Sequence, residues 1–244
     1  MFEIDGIVIR TTSFKENDMM VNVVSKDGII SFLAKGVLKF ESKNAPSIQL
    51  LNKSHFQLSK SKDGLTLRTG TIINSLFSHE TNLNFLVVAN LICELTSRII
   101  ITNEDAINIY QFLEKSQSLL ASKFSPLTIG LYYFAQILKQ TGYGLNVDCC
   151  QKCGKTTQIT AVSYVDGGFI CQECFDGLDG KKYSSIELKI IRLIFKSDIN
   201  SFCAYSFNDE ICIKLIKDLS IFLETQLNIK LKSIKCLTLY KVHL

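Results

Sequence analysis

The sequence of 244 residues is short of the residues that build common enzyme sites. Its three histidines, His55, His79 and His243, all lie away from the cysteine-rich segment described below. The H-x-E/P-C-x-x-C and H-E-x-x-H patterns of zinc enzymes are absent. So are the phosphate-binding pattern G-x-x-x-x-G-K-[ST] and the nucleophile pattern G-x-S-x-G. Because the carboxylates are also scattered, we expect a protein that is not an enzyme.

Long apolar runs and linkers are missing as well. No stretch approaches the roughly 20 uninterrupted apolar residues that a membrane helix needs. The opening residues MFEIDGIVIR carry acids and lack the basic-then-apolar order of a secretory signal. We therefore expect a cytoplasmic protein, whose thiols bind metal or stay free rather than form disulfides. With only two prolines, Pro46 and Pro126, and no low-complexity linker, its domains should abut.

Residues 1–78 show the short alternating runs that are typical of β-strands. One hairpin is predicted to turn at residues 26–28, and a second to cross residues 60–64. About five short strands in this length suit a small barrel or sandwich, and an OB-type barrel is one member of that set.

From residue 79 the apolar period becomes that of helices. Residues 79–147 form the predicted first part of a helical domain, and residues 181–244 the second part. A helix is expected after a cap at Asn103, another after Ser125-Pro126, and a long amphipathic helix over 208–227. The segment 148–180 interrupts this helical region. The fold class is therefore α+β and multidomain.

The interrupting segment contains five cysteines in 26 positions. Cys150 and Cys153 form one C-x2-C pair, and Cys171 and Cys174 form a second pair after seventeen intervening residues. Two such pairs are the ligand spacing of a closed structural zinc site, in which four thiolates surround the ion. Because about thirty residues with few large apolar side chains cannot fold unaided, the ion should supply the free energy of folding. Cys149 lacks the two-residue gap and is predicted to be a bystander.

Other interpretations of the cysteines fit less well. A disulfide does not suit the cytosol, and a thioredoxin-like centre would need one C-x2-C pair at the start of a helix. Four further cysteines, in apolar helical patterns, are predicted to be small buried hydrophobes. They are Cys93, Cys203, Cys212 and Cys236.

The net charge of +4 is unevenly distributed. It is +3 over residues 1–78, −1 over 79–147, −3 over 148–180 and +5 over 181–244. The densest basic run, residues 35–44, falls between predicted strands, where OB folds place their binding loops. Lysines there attract phosphates without reading sequence. Phe40 is a candidate for stacking on unpaired bases, whereas Phe32 suits the core better.

The order of these parts resembles the RecO family of bacterial DNA repair proteins. The segments that carry the resemblance are DGIVI at 5–9, FKEND at 14–18, the basic loop from Lys35-Gly36 to Ser42-Lys43, GYGL at 142–145, the two C-x2-C pairs and LKS at 231–233. The resemblance spans nearly the whole chain. It departs in the basic loop, where this chain has lysines and the family is richer in arginine.

The resemblance implies an OB-fold nucleic-acid-binding domain and a recombination mediator of the RecF pathway. Such a mediator binds single- and double-stranded DNA and anneals complementary strands. With RecR it helps RecA to load onto strands coated by single-strand DNA-binding protein, whose C-terminal peptide is a further expected partner. The expected location is the cytoplasm, associated with the nucleoid. The candidate DNA contacts are Lys35, Lys39, Lys43, Lys53 and Arg68, and near the other end Lys230, Lys232 and Lys235.

Two alternatives remain open at this point. One is a zinc-ribbon factor of transcription or translation that binds RNA or a polymerase. A preference for ribose 2′-hydroxyls would favour this alternative. The other is an enzyme whose polar pocket the motifs do not reveal.

Overall fold

The computed structural model describes residues 2–62, 64–76, 83–100, 102–122, 124–203, 205 and 207–238. The chain forms two compact units, Met1–Lys123 and Phe124–Leu244. These units divide after Lys123, whereas the sequence predicts a domain boundary at residue 78. The predicted domain boundaries therefore stay a prediction. No helix within the described ranges combines the length and the apolar character that crossing a bilayer requires.

Five strands of the first unit form a closed barrel in the order β1-β2-β3-β5-β4. They are β1 (Phe2–Ser13), β2 (Met19–Ser25), β3 (Gly28–Ala34), β4 (Lys53–Ser61) and β5 (Gly64–Asn74), with a short 3-10 helix, Ala45–Ile48, before β4. The strand pairs are antiparallel except β3 and β5, which meet in parallel at Leu33 and Thr66. This closure confirms the predicted OB-type barrel at the N-terminal end.

The alternation of apolar residues along the strands fills the barrel. Phe32 and Phe56 are fully buried, and their ring centroids lie 5.0 Å apart. Val8, Val21 and Val23 pack in the same core. Each side chain of this size contributes about 1.5–3 kcal/mol when it leaves water, so the core holds the strands in register against their conformational entropy.

Two helices of the first unit pack against the barrel. Helix α1 (Leu83–Ile99) contacts β1, and helix α2 (Asn103–Leu120) contacts β2 and β3. The cap of α2 is Thr102, which forms a capping box with Asp105, so the prediction of Asn103 as the cap is wrong. The reason is that the Asn103 side-chain oxygen accepts a hydrogen bond from the Ile29 N–H at 3.2 Å, joining the helix start to the barrel.

The second unit is a helical bundle with a small sheet. Its helices are α3 (Pro126–Gln140), α4 (Ser185–Lys196), α5 (Ile199–Cys203), α6 (Asp209–Leu227) and α7 (Ile234–Thr238). Helix α3 is buried from Leu127 to Leu138 and contacts α4, α5 and α6. The sheet, in the order β7-β6-β8, contains β6 (Ile159–Ser163), β7 (Gly168–Cys171) and β8 (Lys181–Lys182). The predicted helical domain and its inserted segment are thus both present.

A buried hydrogen-bond network joins this sheet to helix α6. The Tyr164 hydroxyl donates to that of Tyr183 at 2.8 Å, and the Tyr183 hydroxyl donates to the Asp218 carboxylate at 2.9 Å. Lys181 binds the other oxygen of Asp218 at 2.6 Å. Burial raises the pKa of both tyrosines, so they stay protonated and remain donors. The network fixes the cysteine segment onto the bundle.

We expect Asp218→Ala to lower the free energy of unfolding of the second unit by about 2 kcal/mol, because it leaves the Tyr183 hydroxyl buried without its acceptor. Loss of the ion pair with the half-exposed Lys181 adds little to this change in free energy, since water solvates the lysine's ammonium in the variant. The matched control on the same helix is Glu224→Ala, which removes an exposed pair with Lys230 and should cost about 0.5 kcal/mol or less. Urea unfolding of both variants measures the difference. Equal losses would show that the network is not stabilising.

Candidate metal centre and nucleic-acid interface

Four thiols converge in the cysteine segment, as predicted. One sulfur each from Cys150, Cys153, Cys171 and Cys174 lies within 4.8 Å of the others. The sulfurs of Cys153 and Cys171 are 3.6 Å apart. Four sulfurs placed about 2.3 Å from one ion in a tetrahedron are separated by about 3.8 Å, so this cluster can hold a metal ion.

Local backbone geometry brings the two pairs together. The N–H of Gly154 donates to the carbonyl of Cys150 at 2.9 Å, and Gly154 has φ of +77°, a conformation that glycine adopts without strain. Strand β7 ends at Cys171, and the N–H of Cys174 closes the second turn onto the Cys171 carbonyl at 3.2 Å. Since β6 and β7 pair as an antiparallel hairpin, the second pair of cysteines is brought to the first.

The thiols of the cluster do not ionise equally. Burial opposes ionisation of Cys150, but hydrogen bonds from the backbone of Cys171, Cys153 and Lys152 outweigh it and lower its pKa to about 6. Hydrogen bonds with the thiols of Cys153 and Cys171 raise the pKa of Cys174 to about 12. A cation is needed to stabilise four thiolates at this spacing, because like charges so close together repel one another.

The lysines around the cluster already have carboxylate partners. Lys152 binds Asp176 at 3.0 Å, and Lys155 binds Glu173 at 2.5 Å. Together with the segment's net charge of −3, these pairs leave little positive potential for a polyanion.

The remaining cysteines follow their predictions only in part. Cys149 is half-buried and lies outside the cluster, and Cys93 and Cys212 are buried as predicted. Burial raises the pKa of Cys212 to about 12, so this thiol stays protonated. Cys236 is exposed, so its prediction is wrong: in the short helix α7 it takes the outward position beside the buried Leu237. The side chain of Cys203 lies outside the described residues.

We expect Cys150→Ser to lose the bound metal and to unfold the cysteine segment, because serine does not supply a thiolate. Cys149→Ser, which changes the adjacent thiol, should keep one metal ion per chain and wild-type stability. Elemental analysis of the purified proteins, with thermal unfolding before and after chelation, checks both. Loss of metal in both variants, or in neither, would contradict the assignment of the four ligands.

The predicted basic loop is tied to the end of the barrel. Lys35, Lys39 and Lys43 are exposed, and none of them forms an ion pair with any residue that the structure describes. The Asp18 carboxylate accepts the Gly36 N–H at 2.7 Å, and Gly36 takes φ of +62°. The loop between β1 and β2 thereby holds the loop after β3, and the lysines project into solvent.

Asn44 joins the far end of this loop to β5. Its amide donates to the Arg68 carbonyl at 3.1 Å, and its oxygen accepts the Gly70 N–H at 3.0 Å. The exposed Arg68 side chain contacts Ser59 through its Nε at 3.0 Å. These bonds place Arg68 beside the end of the basic loop, so four of the predicted contacts share one end of the barrel.

Aromatic side chains accompany these cations. Phe40 is fully exposed on the basic loop, whereas Phe32 belongs to the core. Phe14 is also exposed, and the ammonium of Lys15 lies 5.6 Å from its ring centroid. Sequence reasoning missed Phe14 and Lys15 as site residues, although they begin the FKEND turn that carried the resemblance.

Lys53 differs from the other predicted contacts of the first unit. Its ammonium binds the Glu114 carboxylate at 2.5 Å and is largely covered. The hydrogen bond with Glu114 raises the pKa of Lys53, so the lysine stays charged but its charge is neutralised within the unit. Its role as a DNA contact stays a prediction.

The predicted contacts near the other end lie in the second unit. Lys230 pairs with Glu224 at 3.2 Å. Lys232 and Lys235 are exposed; Lys232 precedes the short helix α7, and Lys235 lies within it. Their part in DNA binding stays a prediction as well.

Comparison with known proteins agrees with this arrangement. The family model "Recombination protein O N terminal" matches residues 1–76, and the model "Recombination protein O C terminal" matches residues 80–235. The chain belongs to the RecO family. The first match thus covers the barrel, and the second covers the helices and the four-cysteine cluster.

Individual relatives cover most of the chain. The DNA repair protein RecO of Acetivibrio thermocellus is 30% identical over 216 residues, which are 87% of this chain and 86% of the relative. That of Bacillus cytotoxicus is 27% identical over 239 residues, 96% of this chain and 95% of the relative. That of Bacillus mycoides is 28% identical over 213 residues, 86% of each. The relatives therefore match both units of this RecO-family chain.

Proposed function

We propose that this protein acts in DNA repair and homologous recombination by binding single- and double-stranded DNA and annealing complementary strands. The observation that carries the proposal is the end of the barrel, which presents the exposed Lys35, Lys39, Lys43 and Arg68 together with the exposed Phe40. Ammonium and guanidinium groups neutralise phosphates, and an exposed ring stacks on a base of any identity. Such a surface binds strands without reading their sequence, which annealing requires.

Annealing is limited by repulsion between two polyanions. A protein that neutralises phosphates on both strands lowers this repulsion and raises the local strand concentration. The chemistry needs no bond to form or break. The exposed Lys232 and Lys235 of the second unit are the proposed contacts for further phosphates.

Zinc is the metal that we propose for the four-cysteine cluster. Four sulfur ligands in a tetrahedron suit Zn²⁺, and such a closed site is structural. When bound, the ion neutralises the thiolates of Cys150, Cys153, Cys171 and Cys174. These residues hold the segment in shape and leave DNA contacts to other surfaces.

Membership of the family suggests two protein partners, and we include them in the proposal. With RecR, the protein would help RecA to load onto DNA that is coated with single-strand DNA-binding protein, whose C-terminal peptide it would bind. An annealing assay on coated strands, with and without RecR, tests this part separately from DNA binding.

We expect charge reversal of Lys35, Lys39 and Lys43 to glutamate to weaken binding of a single-stranded oligonucleotide by about a hundredfold or more at low salt, since three phosphate contacts become repulsive. The matched control reverses three exposed lysines away from this loop, Lys26, Lys115 and Lys189, with the same change in net charge. Fluorescence anisotropy across a salt series measures both.

The wild-type affinity should fall steeply with salt, and the slope should flatten in the basic-loop variant because fewer counterions are released. An equal loss of affinity in the control variant would show that the effect comes from net charge and not from the basic loop. Tighter binding of RNA than of DNA of the same sequence would favour an RNA-binding factor instead.

We expect Phe40→Ala to weaken binding of single-stranded DNA by about 1–3 kcal/mol, because one stacking platform is lost. Binding of blunt double-stranded DNA should change little, since its bases are already stacked. Thermal unfolding should not change, because the ring is fully exposed. The same measurements on Phe14→Ala test the loop between β1 and β2. Equal losses for both kinds of DNA would show that Phe40 does not contact bases.

A further inference from the structure

A cavity of about 300 Å³ lies in the first unit, between strand β1 and the last three turns of helix α1. It is lined by Ile9, Arg10 and Thr11 of β1, by Leu50, and by Asn90, Cys93, Glu94, Ser97 and Arg98 of α1. The volume suits a ligand as small as a mononucleotide. None of the DNA contacts described above belongs to it.

Arginine is scarce in this chain, and half of its arginine residues line this cavity. Only four of the 27 basic residues are arginines, and two of these, Arg10 and Arg98, share the cavity. Neither forms an ion pair with the residues that the structure describes. Guanidinium groups bind phosphate through two parallel hydrogen bonds, which lysine does not provide.

A β-bulge in β1 aims Arg10 into this cavity. Val8 faces the barrel core, and strict alternation would place Arg10 in the core as well. The pairing with β2 instead passes from Val8–Val23 to Arg10–Asn22, which leaves Ile9 as an extra residue. Because Val23 faces the core, its neighbour Asn22 and the paired Arg10 face outward. Bulges often re-aim a side chain in this way next to functional sites.

The opposite wall presents polar groups at helical spacing. Asn90, Glu94, Ser97 and Arg98 lie on the face of α1 that lines the cavity. Two arginines against Glu94 leave a net charge of +1. A free phosphate ion would meet Glu94 as a like charge. A nucleotide adds sugar hydroxyls and base N–H groups. Glu94 already has a partner, but a carboxylate has two oxygens with several lone pairs and can accept a further hydrogen bond from such a donor.

We propose that this cavity binds the phosphate of a nucleotide, held by Arg10 and Arg98, with Glu94 accepting a hydrogen bond from the sugar or base. The phosphate belongs to a free mononucleotide or to the terminal nucleotide of a strand. The site is independent of the basic loop, since it lies on the outer face of β1 against α1. Arg98 also sits in the last turn of α1, where a cation stabilises the helix dipole, so stability is measured beside binding.

The test uses the full chain with Lys35, Lys39 and Lys43 changed to glutamine, so that the basic loop contributes no phosphate binding. Isothermal titration with thymidine 5′-monophosphate should show one site per chain. Thymidine should bind at least about tenfold more weakly, because it lacks the phosphate that the arginines bind. Arg10→Gln with Arg98→Gln should weaken nucleotide binding by about tenfold or more. Arg192→Gln, which removes an arginine that pairs with Asp148 in the second unit, should leave it unchanged.

The double lysine variant, Arg10→Lys with Arg98→Lys, keeps both charges and should still weaken binding, because the paired hydrogen bonds are lost. Competition by a 5′-phosphorylated oligonucleotide but not by its 5′-hydroxyl form would assign the site to strand ends, and no difference would assign it to free nucleotides. Absence of nucleotide binding, or binding that survives both double variants in folded protein, would overturn the proposal. Retention of binding of a 5′-hydroxyl oligonucleotide by the basic-loop variant would contradict the proposed function and leave this site untouched.

Discussion

The hydrogen bond between the Asp18 carboxylate and the Gly36 N–H is the contact on which the proposed DNA surface depends. A loop with three lysines repels itself and would spread into solvent if nothing fixed its backbone. Asp18 holds the start of that loop, and Asn44 holds its end against β5. The cations are thereby positioned before DNA arrives, so binding loses less conformational entropy.

The second unit is organised around a different constraint, the shortage of apolar residues in the segment 148–180. The small core there consists of Cys150 and Cys171 with Ala161 and Ile170, so the thiols make up much of it. A cation is needed to make their joint ionisation favourable. The Tyr164–Tyr183–Asp218 network then attaches the segment to α6. A negative surface whose lysines are already paired suits a structural part. The proposed phosphate contacts lie instead at the end of the barrel and within residues 230–235.

Sequence reasoning could predict what depends on spacing and period. The barrel strands, the capped helices and the four ligands all follow from local patterns. It could not predict pairings between distant residues. Glu114 neutralises Lys53 from 61 positions away, and the bulge that turns Arg10 outward leaves no sign in the alternation. Asn103 similarly serves the barrel through Ile29, which no local capping rule reveals.

The most direct test of the central claim is hydrogen–deuterium exchange of the full, metal-loaded chain with and without a single-stranded oligonucleotide. If DNA binds at the end of the barrel, protection should appear in residues 14–18 and 35–44 and around Arg68. Exchange in 150–174 should not change. Protection that is confined to the cysteine segment, or that is absent from 35–44 under saturating DNA, would contradict the account.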